Sequence, residues 1–387
     1  MITVSISDLK AAIKVLGSIV KSKNDPLMMT CGVDDLCLDT FVGECKMSTS
    51  IPFQGIRFRS ETPIAVYFRE FKAALSNFPD EGSFRLSYDV EEDIISVQGI
   101  RLTCTTPRDF PAIEGGTIIT KESIPINYVK DIISISKFAD QSGARGKLGG
   151  VFFDGYNKMV ATNGRVLKVV VLSKKPIIPE MILSVEAVGA LKVFSPVVEM
   201  VPVYLQKVIT EGKGKKKSET IIESLYRVQF TDGKSVLTTT LIEGPYPNYK
   251  QCIPGPSKKT ISFSKKELLE VIKDATPLID KNFHLIKFMV RNGKVALHLH
   301  QRKSLKDKIS KLVFYQKLQS SFSNCDWGFK IGFNAEYLKS LLDTIKSDKI
   351  VLSFTKGCGG DLSVSPVLIN KDESKLTSLI MPLQIQE

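Results

Sequence analysis

The residues most able to support catalysis or metal binding are a histidine pair and a glycine–lysine run. His298 and His300 alternate on a predicted strand and share one face, a start for a metal site, but no carboxylate or cysteine stands at a spacing that completes it. Residues 212–218 (GKGKKKS) suggest a phosphate-binding loop but lack the G-x-x-x-x-G-K-[ST] spacing. Neither a G-x-S-x-G elbow nor a paired-carboxylate motif stands out. We therefore predict that the histidine pair belongs to a plain strand surface and that residues 212–218 form a solvated insertion. We also predict that the protein is not an enzyme and has no cofactor and no metal.

The cysteines and the apolar segments indicate the compartment. The seven cysteines lie at positions 31, 37, 45, 104, 252, 325 and 358 and include no C-x-x-C pair. Such an odd, scattered set is typical of buried or free thiols in a reducing compartment. The first residues lack the order of a secretory signal, and no uncharged apolar stretch approaches the roughly 20 residues that span a bilayer. We predict a cytoplasmic protein with no membrane partner.

The charge indicates the class of partner. The chain carries 53 Lys and Arg against 41 Asp and Glu, which gives a net charge of +12. Such an excess favours a polyanion, and nucleic acid is the commonest one. With only 3 His and 1 Trp in 387 residues, acid–base catalysis by histidine and extensive base stacking on tryptophan are both disfavoured.

Six segments have apolar residues at helical spacing, and these predicted helices would carry many of the lysine and arginine side chains. They begin near residues 8, 67, 127, 184, 264 and 334, and runs typical of strands separate them. Ser264 and Glu267 form a capping-box pattern, and Asn334 is a predicted N-cap. The starts fall into three pairs of similar spacing, which predicts three copies of one unit: helix, strands, helix, strands.

Two turn-rich joints, near residues 120–124 and 254–260, predict where the copies are divided. The predicted domains are 1–121, 122–256 and 257–387.

A basic stripe lies opposite the apolar stripe of the predicted helices. One interpretation is a solvated face, the usual use of helix charges. The other is that the apolar faces pack on sheets while the basic faces line one shared space. The stripe residues are Lys10, Lys14, Lys21, Arg69, Lys72, Lys130, Lys137, Lys192, Lys266, Lys273, Lys339 and Lys346.

Four segments resemble the bacterial DNA polymerase III beta subunit, the sliding clamp. Residues 160–167 (VATNGRVL) are similar to that family's ATDGHRL turn, and residues 242–249 (IEGPYPNY) to its DGRFPDY segment. Residues 331–338 (IGFNAEYL) are similar to IGFNVSYL, and residues 379–383 (LIMPL) to the terminal VVMPM. Before residue 100 the likeness is one of pattern, and residues 109–111 (DFP) add a further match.

The resemblance implies a fold and an assembly. It implies an α+β chain of three clamp domains, each with two helices packed on antiparallel sheets. It further implies that two chains join head to tail in a homodimeric ring whose twelve helices surround duplex DNA. Dimer contacts are expected near Thr103 and Cys104 of one chain and Leu278 and Ile279 of the other.

The resemblance also implies binding sites. In the family, a peptide from the polymerase catalytic subunit, the clamp loader or another clamp-motif protein binds in a hydrophobic cleft between the second and third domains. The matching residues here are Leu148, Thr162, Gly164, Arg165, Leu167, Pro247, Cys252, Cys358, Gly360, Ile380, Met381, Pro382 and Leu383. Lys21, Lys23, Arg145 and Lys147 match loops that face DNA, and such phosphate contacts would be independent of DNA sequence.

The chain departs from the family in sequence and in charge. Arg165-Val166 replaces a histidine–arginine pair, and Gln251 replaces a basic residue. Clamps of this type are usually acidic overall, whereas part of the positive charge here lies off the helices, in residues 213–217 and 301–311. These loops have two interpretations: solvated lysine-rich loops, or an outer surface that contacts DNA.

Two other functions remain compatible with the residues. One is a basic DNA-binding monomer that does not encircle DNA. The other is a clamp-like interaction scaffold with little role on DNA. If the chain is a sliding clamp, we expect it to act in DNA replication and to be located at the nucleoid.

Overall fold

The computed structural model describes the chain except for residues 59, 61, 108–116, 173–177, 195–196, 212–217, 256, 258, 280–283, 292–293, 302–310, 324–327, 355–364, 371–375, 384 and 386–387. Several predicted features lie outside the described residues. They are the 109–111 motif, the lysine run 213–217, the basic residues Arg302, Lys303, Lys306 and Lys308, the cleft residues Cys358 and Gly360, and the side chains of His300 and Lys311.

The described elements recur in one order three times: a strand, a helix, three strands, a strand, a second helix and three strands. The first copy comprises β1 (Ile2–Ser5), α1 (Ile6–Leu16), β2 (Pro26–Cys31), β3 (Asp35–Val42), β4 (Cys45–Gly55), β5 (Ile64–Tyr67), α2 (Phe68–Ser76), β6 (Ser83–Asp89), β7 (Ile94–Val97) and β8 (Ile100–Thr103). After an additional strand, β9 (Thr117–Thr120), the second comprises β10 (Ile124–Ile126), α3 (Val129–Ser136), β11 (Gly150–Phe153), β12 (Lys158–Thr162), β13 (Val166–Val171), β14 (Met181–Ser184), α4 (Val185–Ala190), β15 (Val198–Glu211), β16 (Ser218–Thr231) and β17 (Ser235–Thr240). The third comprises β18 (Lys259–Ser264), α5 (Lys265–Ala275), β19 (Leu285–Arg291), β20 (Lys294–Gln301), β21 (Lys311–Leu318), an additional β22 (Ser320–Ser323), β23 (Phe329–Asn334), α6 (Ala335–Thr344), β24 (Lys349–Phe354), β25 (Val367–Ile369) and β26 (Leu376–Ile380).

This order confirms the predicted α+β class and its repeated unit. All six predicted helices are present, and neighbouring strands pair antiparallel, as β1 does with β4, β13 with β26 and β18 with β24. The division of the chain at residues 121 and 256 stays a prediction.

Short polar side chains cap four of the helices, α1, α4, α5 and α6, at the points where the preceding strands end. Ser5, Ser184, Ser264 and Asn334 each accept a hydrogen bond from the backbone N–H three residues later, at 3.0–3.4 Å. These bonds satisfy N–H groups that the first helical turn leaves without partners. The first half of the predicted capping box, the bond from the Glu267 N–H to Ser264 Oγ, is confirmed, and the Glu267 carboxylate accepts the backbone N–H of Gln319 at 2.9 Å. The predicted cap at Asn334 is confirmed.

The chain forms two compact units, residues 1–133 with 177–242 and residues 134–176 with 243–387. In the first unit the strand order is β10-β15-β16-β17-β4-β1-β6-β7-β8, with β2 paired to β3 and β5 and with β9 paired to β15. The last strand of the second copy, β17, therefore pairs with β4 of the first copy, in a register that sets Leu237 opposite Met47. The apolar faces of α1 and α2 supply buried residues to this unit, among them Leu9, Leu16 and Phe71.

The second unit repeats this arrangement. One sheet has the order β11-β12-β13-β26-β25-β24-β18-β22, and a second has the order β21-β20-β19-β23. Here the last strand of the third copy, β26, pairs with β13 of the second copy, in a register that sets Val166 opposite Ile380. Strand β13 occupies the same place in its copy as β4 does in the first, since each is the third strand after the first helix of its copy. In both units, therefore, the last strand of one copy pairs with this third strand of the preceding copy.

No helix in the described part of the chain is long and apolar enough to cross a membrane. No group of three or more His, Cys, Asp and Glu side chains there could hold a metal ion. On β20, the ring of His298 meets the ring of Tyr315 edge-on, with centroids 4.9 Å apart.

Candidate functional site

The turn between β12 and β13 supplies several residues of the predicted cleft. Thr162 Oγ1 donates to the carbonyl of Val166 at 2.6 Å and accepts the N–H of Gly164 at 3.0 Å. Asn163 Oδ1 accepts the N–H groups of Arg165 and Val166 at 2.9 and 3.1 Å. Gly164 has a φ of +79°, which side chains other than that of glycine rarely adopt. The turn is therefore closed by its own side chains, and Gly164 and Arg165 are exposed on it.

The tail of the chain lies directly beside this turn. The backbone N–H of Met381 donates to the carbonyl of Arg165 at 2.8 Å, and that of Leu383 donates to the carbonyl of Gly332, also at 2.8 Å. Ile380 is fully buried in β26 and Pro382 is buried, whereas Met381 and Leu383 are half-buried. Of the predicted tail residues, Met381 and Leu383 are thus the ones with apolar surface left to offer a ligand.

Residues 243–252, in the same unit, hold Pro247 and Cys252 at the surface. Their anchor is aromatic: the Tyr246 ring stacks on Phe152 with centroids 4.6 Å apart, and Tyr249 meets Phe152 edge-on at 6.4 Å. Burial raises the pKa of the Tyr246 and Tyr249 phenols, and the neighbouring backbone of Thr162 opposes part of the rise at Tyr246. The two phenols are therefore neutral at physiological pH and serve as packing groups beneath the exposed Pro247 and Cys252.

A loop at residues 140–148, called here the Arg145 loop, supplies the last described cleft residue, Leu148, together with Arg145 and Lys147. Leu148 is half-buried, and both cations are exposed in part. Asp140 accepts the backbone N–H of Arg145 at 2.8 Å, and Ser142 Oγ donates to it at 2.8 Å. These hydrogen bonds, the one from Ser142 foremost, hold the pKa of Asp140 below its usual range. The sequence reading missed Asp140, although an Asp two residues before a Ser is a common loop-closing pattern.

The described cleft residues therefore lie on connected parts of one unit. The turn, the tail and the Arg145 loop are joined by hydrogen bonds, and Phe152 joins the neighbouring β11 to residues 246–249. Leu167, by contrast, is buried in β13 opposite Leu379. It supports the turn from below rather than offering a surface.

The predicted DNA-facing residues lie mainly at exposed positions of five of the helices (α1, α2, α3, α5 and α6), just beyond the ends of α3, α4 and α6, and in two loops. Lys14, Lys23, Arg69, Lys72, Lys130, Lys137, Arg145, Lys147, Lys192, Lys266, Lys273, Lys339 and Lys346 are all exposed. Lys10 differs, because its Nζ donates to the carbonyl of Phe78 at 2.7 Å and to Asp80 at 2.6 Å. The exposed Lys21 forms an ion pair with Glu186, so part of its charge is offset locally.

The predicted dimer residues lie at two places in the chain, at the end of β8 and after α5. Thr103 is exposed at the end of β8, and Cys104 is half-buried after it, where burial first and Asp93 second raise the pKa of its thiol to about 12. Leu278 is 41 % exposed after α5, and Ile279 is half-buried. In the described sheets, β8 and β21 each stand at one end of a strand order.

The chain is similar in sequence to known beta sliding clamps. No family model matches the chain. It is 20 % identical to the beta sliding clamp of Pseudomonas aeruginosa over 329 residues, 83 % of this chain and 82 % of that one. It is 24 % identical to the beta sliding clamp of Rickettsia felis over 183 residues, and there it spans about half of the relative, 46 % of each chain.

Solved structures extend the likeness to the full length. The DNA polymerase sliding clamp from Caulobacter crescentus superimposes with a TM-score of 0.77 at 16 % identity over 99 % of both chains. A DnaN sliding clamp (DNA polymerase III subunit beta) from Bartonella birtlesii, bound to griselimycin, gives a TM-score of 0.74 at 18 % identity over 99 % of both chains. The resemblance drawn from the four sequence segments is confirmed, and the fold is that of the sliding clamps.

Proposed function

We propose that this chain, which has the fold of the DNA polymerase III beta clamps, is itself a sliding clamp. It is a non-catalytic processivity factor of a replicative DNA polymerase and acts in the cytoplasm, at the nucleoid. The observation that carries the proposal is the threefold recurrence of one element order in a chain with a basic face on its helices. The likeness to beta sliding clamps over most of the chain supports the same function.

The joining of the copies supports ring closure. Strand β17 pairs with β4, and β26 pairs with β13, so each pairing joins the last strand of one copy to the third strand after the first helix of the preceding copy. The same rule leaves β8 of the first copy and β21 of the third without such a partner in the described chain. An outer strand offers unpaired backbone groups to another chain.

We therefore expect β8 of one chain to pair with β21 of a second. Two chains related by a twofold axis make this contact twice and close a ring, which is the head-to-tail homodimer. The surface of β21 fits such a contact, because Leu312 and Tyr315 are 45 % and 48 % exposed on it.

The cleft is where partners bind. Exposed Pro247 and Cys252, half-buried Met381 and Leu383, and the polar turn around Gly164 form a mixed surface of the kind that takes a few apolar anchors of a peptide. The griselimycin bound to the Bartonella birtlesii clamp supports a ligand site on this fold. The partners of this cleft are the polymerase catalytic subunit, the clamp loader and other clamp-motif proteins.

DNA is held by topology and by charge. Exposed lysines on the helices contact phosphates and read no sequence, so the clamp slides while it keeps its polymerase at a high effective concentration.

The decisive experiment loads the protein onto nicked circular DNA and then linearises the DNA. A clamp stays on the circle at moderate salt and is lost through the free ends once the circle is cut. Retention that is equal on circular and linear DNA would instead fit the basic DNA-binding monomer, which the net charge of +12 also favours.

A further inference from the structure

The Arg145 loop has a fixed shape of its own. Asp140 accepts hydrogen bonds from Ser142 Oγ and from the backbone of Arg145, both at 2.8 Å. The two ends of the loop are joined by the N–H of Asp140, which donates to the carbonyl of Leu148 at 2.8 Å. The loop therefore presents Arg145 and Lys147 from a closed frame rather than from a free segment.

Arg145 is directed at the cleft-lining turn. Its Nη1 donates a hydrogen bond to the carbonyl of Asn163 and lies over Gly164, where a Cβ would overlap it. A hydrogen bond from a charged donor is about twice as strong as a neutral one. The guanidinium thus covers and holds the turn that carries Thr162, Gly164 and Arg165.

Lys147 makes a second, separate contact with another cleft-lining segment. A Cβ on Gly244 would lie 2.8 Å from its Nζ and 2.9 Å from its Cε, and Gly244 has a φ of +86°. The lysine side chain therefore passes directly over the backbone that leads into residues 245–252. One loop consequently touches both segments that flank the exposed cleft residues.

The contact of Arg145 extends to the tail through the backbone. Arg145 donates a hydrogen bond to the carbonyl of Asn163, and the side chain of Asn163 accepts the N–H of Arg165. The carbonyl of Arg165 in turn accepts the N–H of Met381 at 2.8 Å. A change in the position of residue 163 therefore moves the bond that holds Met381.

We propose that Arg145 is a positioning residue of the partner cleft: its guanidinium holds the turn at residues 162–165, with Lys147 as a second support at Gly244. This inference rests on the proposed function, because it presupposes that the cleft binds a ligand. It assigns to Arg145 a role that a phosphate contact does not include.

The test compares four full-length proteins: wild type, Arg145→Ala, Arg145→Lys and Arg291→Ala. Arg291, in the same unit, is exposed and lies outside the site, so it is the matched control for removal of one surface arginine. Griselimycin affinity is measured by calorimetry. We expect about tenfold weaker binding for Arg145→Ala, which removes one charged hydrogen bond, and wild-type binding for Arg291→Ala. Arg145→Lys keeps a charged donor and recovers a large part of the affinity.

Hydrogen exchange separates positioning from general destabilisation. In Arg145→Ala the amides of Gly164, Arg165 and Val166 should exchange faster while core strands keep their protection. Unchanged griselimycin affinity together with a smaller salt dependence of duplex DNA binding would mean that Arg145 is a phosphate contact only, and would overturn the inference. Griselimycin binding absent from the wild type would overturn the cleft assignment itself, and the inference with it.

Discussion

Substitution of Leu312 should weaken the proposed ring. Leu312 and Tyr315 are exposed on the outer strand β21, which we expect to pair with β8 of a second chain. Pairing would cover the exposed part of these side chains. Leu312→Ala should therefore shift the equilibrium towards the monomer without unfolding the chain, because 45 % of the residue is already in water.

The magnitude follows from the area that pairing would cover. Full burial of a leucine side chain contributes about 1.5–3 kcal/mol, so covering the exposed 45 % of Leu312 contributes about 1 kcal/mol. A closed ring makes the contact twice, and the dimer should lose about 2 kcal/mol, which raises its dissociation constant about 30-fold. Leu312→Glu should raise it further, because a carboxylate without a partner would be buried.

Mass in solution is the assay. The wild type should sediment at about twice the 42.9 kDa of one chain, and dilution should dissociate Leu312→Ala at concentrations where the wild type stays intact. Ile221→Ala is the control, because Ile221 is 61 % exposed on β16, outside the proposed interface. A wild-type monomer, or an equal effect of both substitutions, would refute the reasoning.

Three further predictions concern the tail, the charge and pH. A chain that ends after Ile380 should lose griselimycin binding, measured by calorimetry, but keep its dimer, measured by sedimentation. The cut is placed there because an earlier one would remove the core residues Leu379 and Ile380 of β26, and unchanged affinity would exclude the tail from the cleft. Replacing Lys213, Lys215, Lys216 and Lys217 with Gln should lower the slope of log K against log salt for a short linear duplex by roughly 0.9 for each phosphate that is no longer neutralised, with retention on circular DNA intact; equal slopes would make the run a solvated loop. Because the folded-state pKa of Asp140 is lowered, its stabilisation is complete at neutral pH and is lost as the pH falls through that pKa. Asp140→Asn should therefore melt below the wild type at pH 7, and the difference should narrow as the pH falls below the ordinary aspartate pKa of about 3.9; a difference that does not narrow in acid would contradict this.

Much of the fold was predictable because it depends on local patterns. Ser264 and Asn334 mark helix starts, since a cap needs only a side chain and an N–H three residues away. The periodicity also identified the exposed faces of the helices. It could not identify long-range partners, and so Lys10, assigned to DNA, was not seen to bond Asp80, 70 residues away.

The candidate site was predictable in its position more than in its internal contacts. The turn at 162–165 and the tail were found through short motifs, and the structure brings them together. The contact of Arg145 with Asn163 joins residues 18 apart through a loop whose shape depends on Asp140, and no periodicity encodes it. Leu167 and Ile380 were assigned to the cleft by motif alone, although strand pairing buries them.

The strand pairings between copies also determine how the chain must fold. Strand β4 pairs with β17, and the side chains of Cys45 and Thr239 meet across 194 positions of sequence. Strand β13 likewise pairs with β26, and the side chain of Lys168 donates a hydrogen bond to Ser378, 210 positions later in the sequence. Contacts this distant are slow to form. During synthesis β4 and β13 therefore remain open edges until about two hundred further residues have been added, and the nascent chain is exposed to aggregation for that interval.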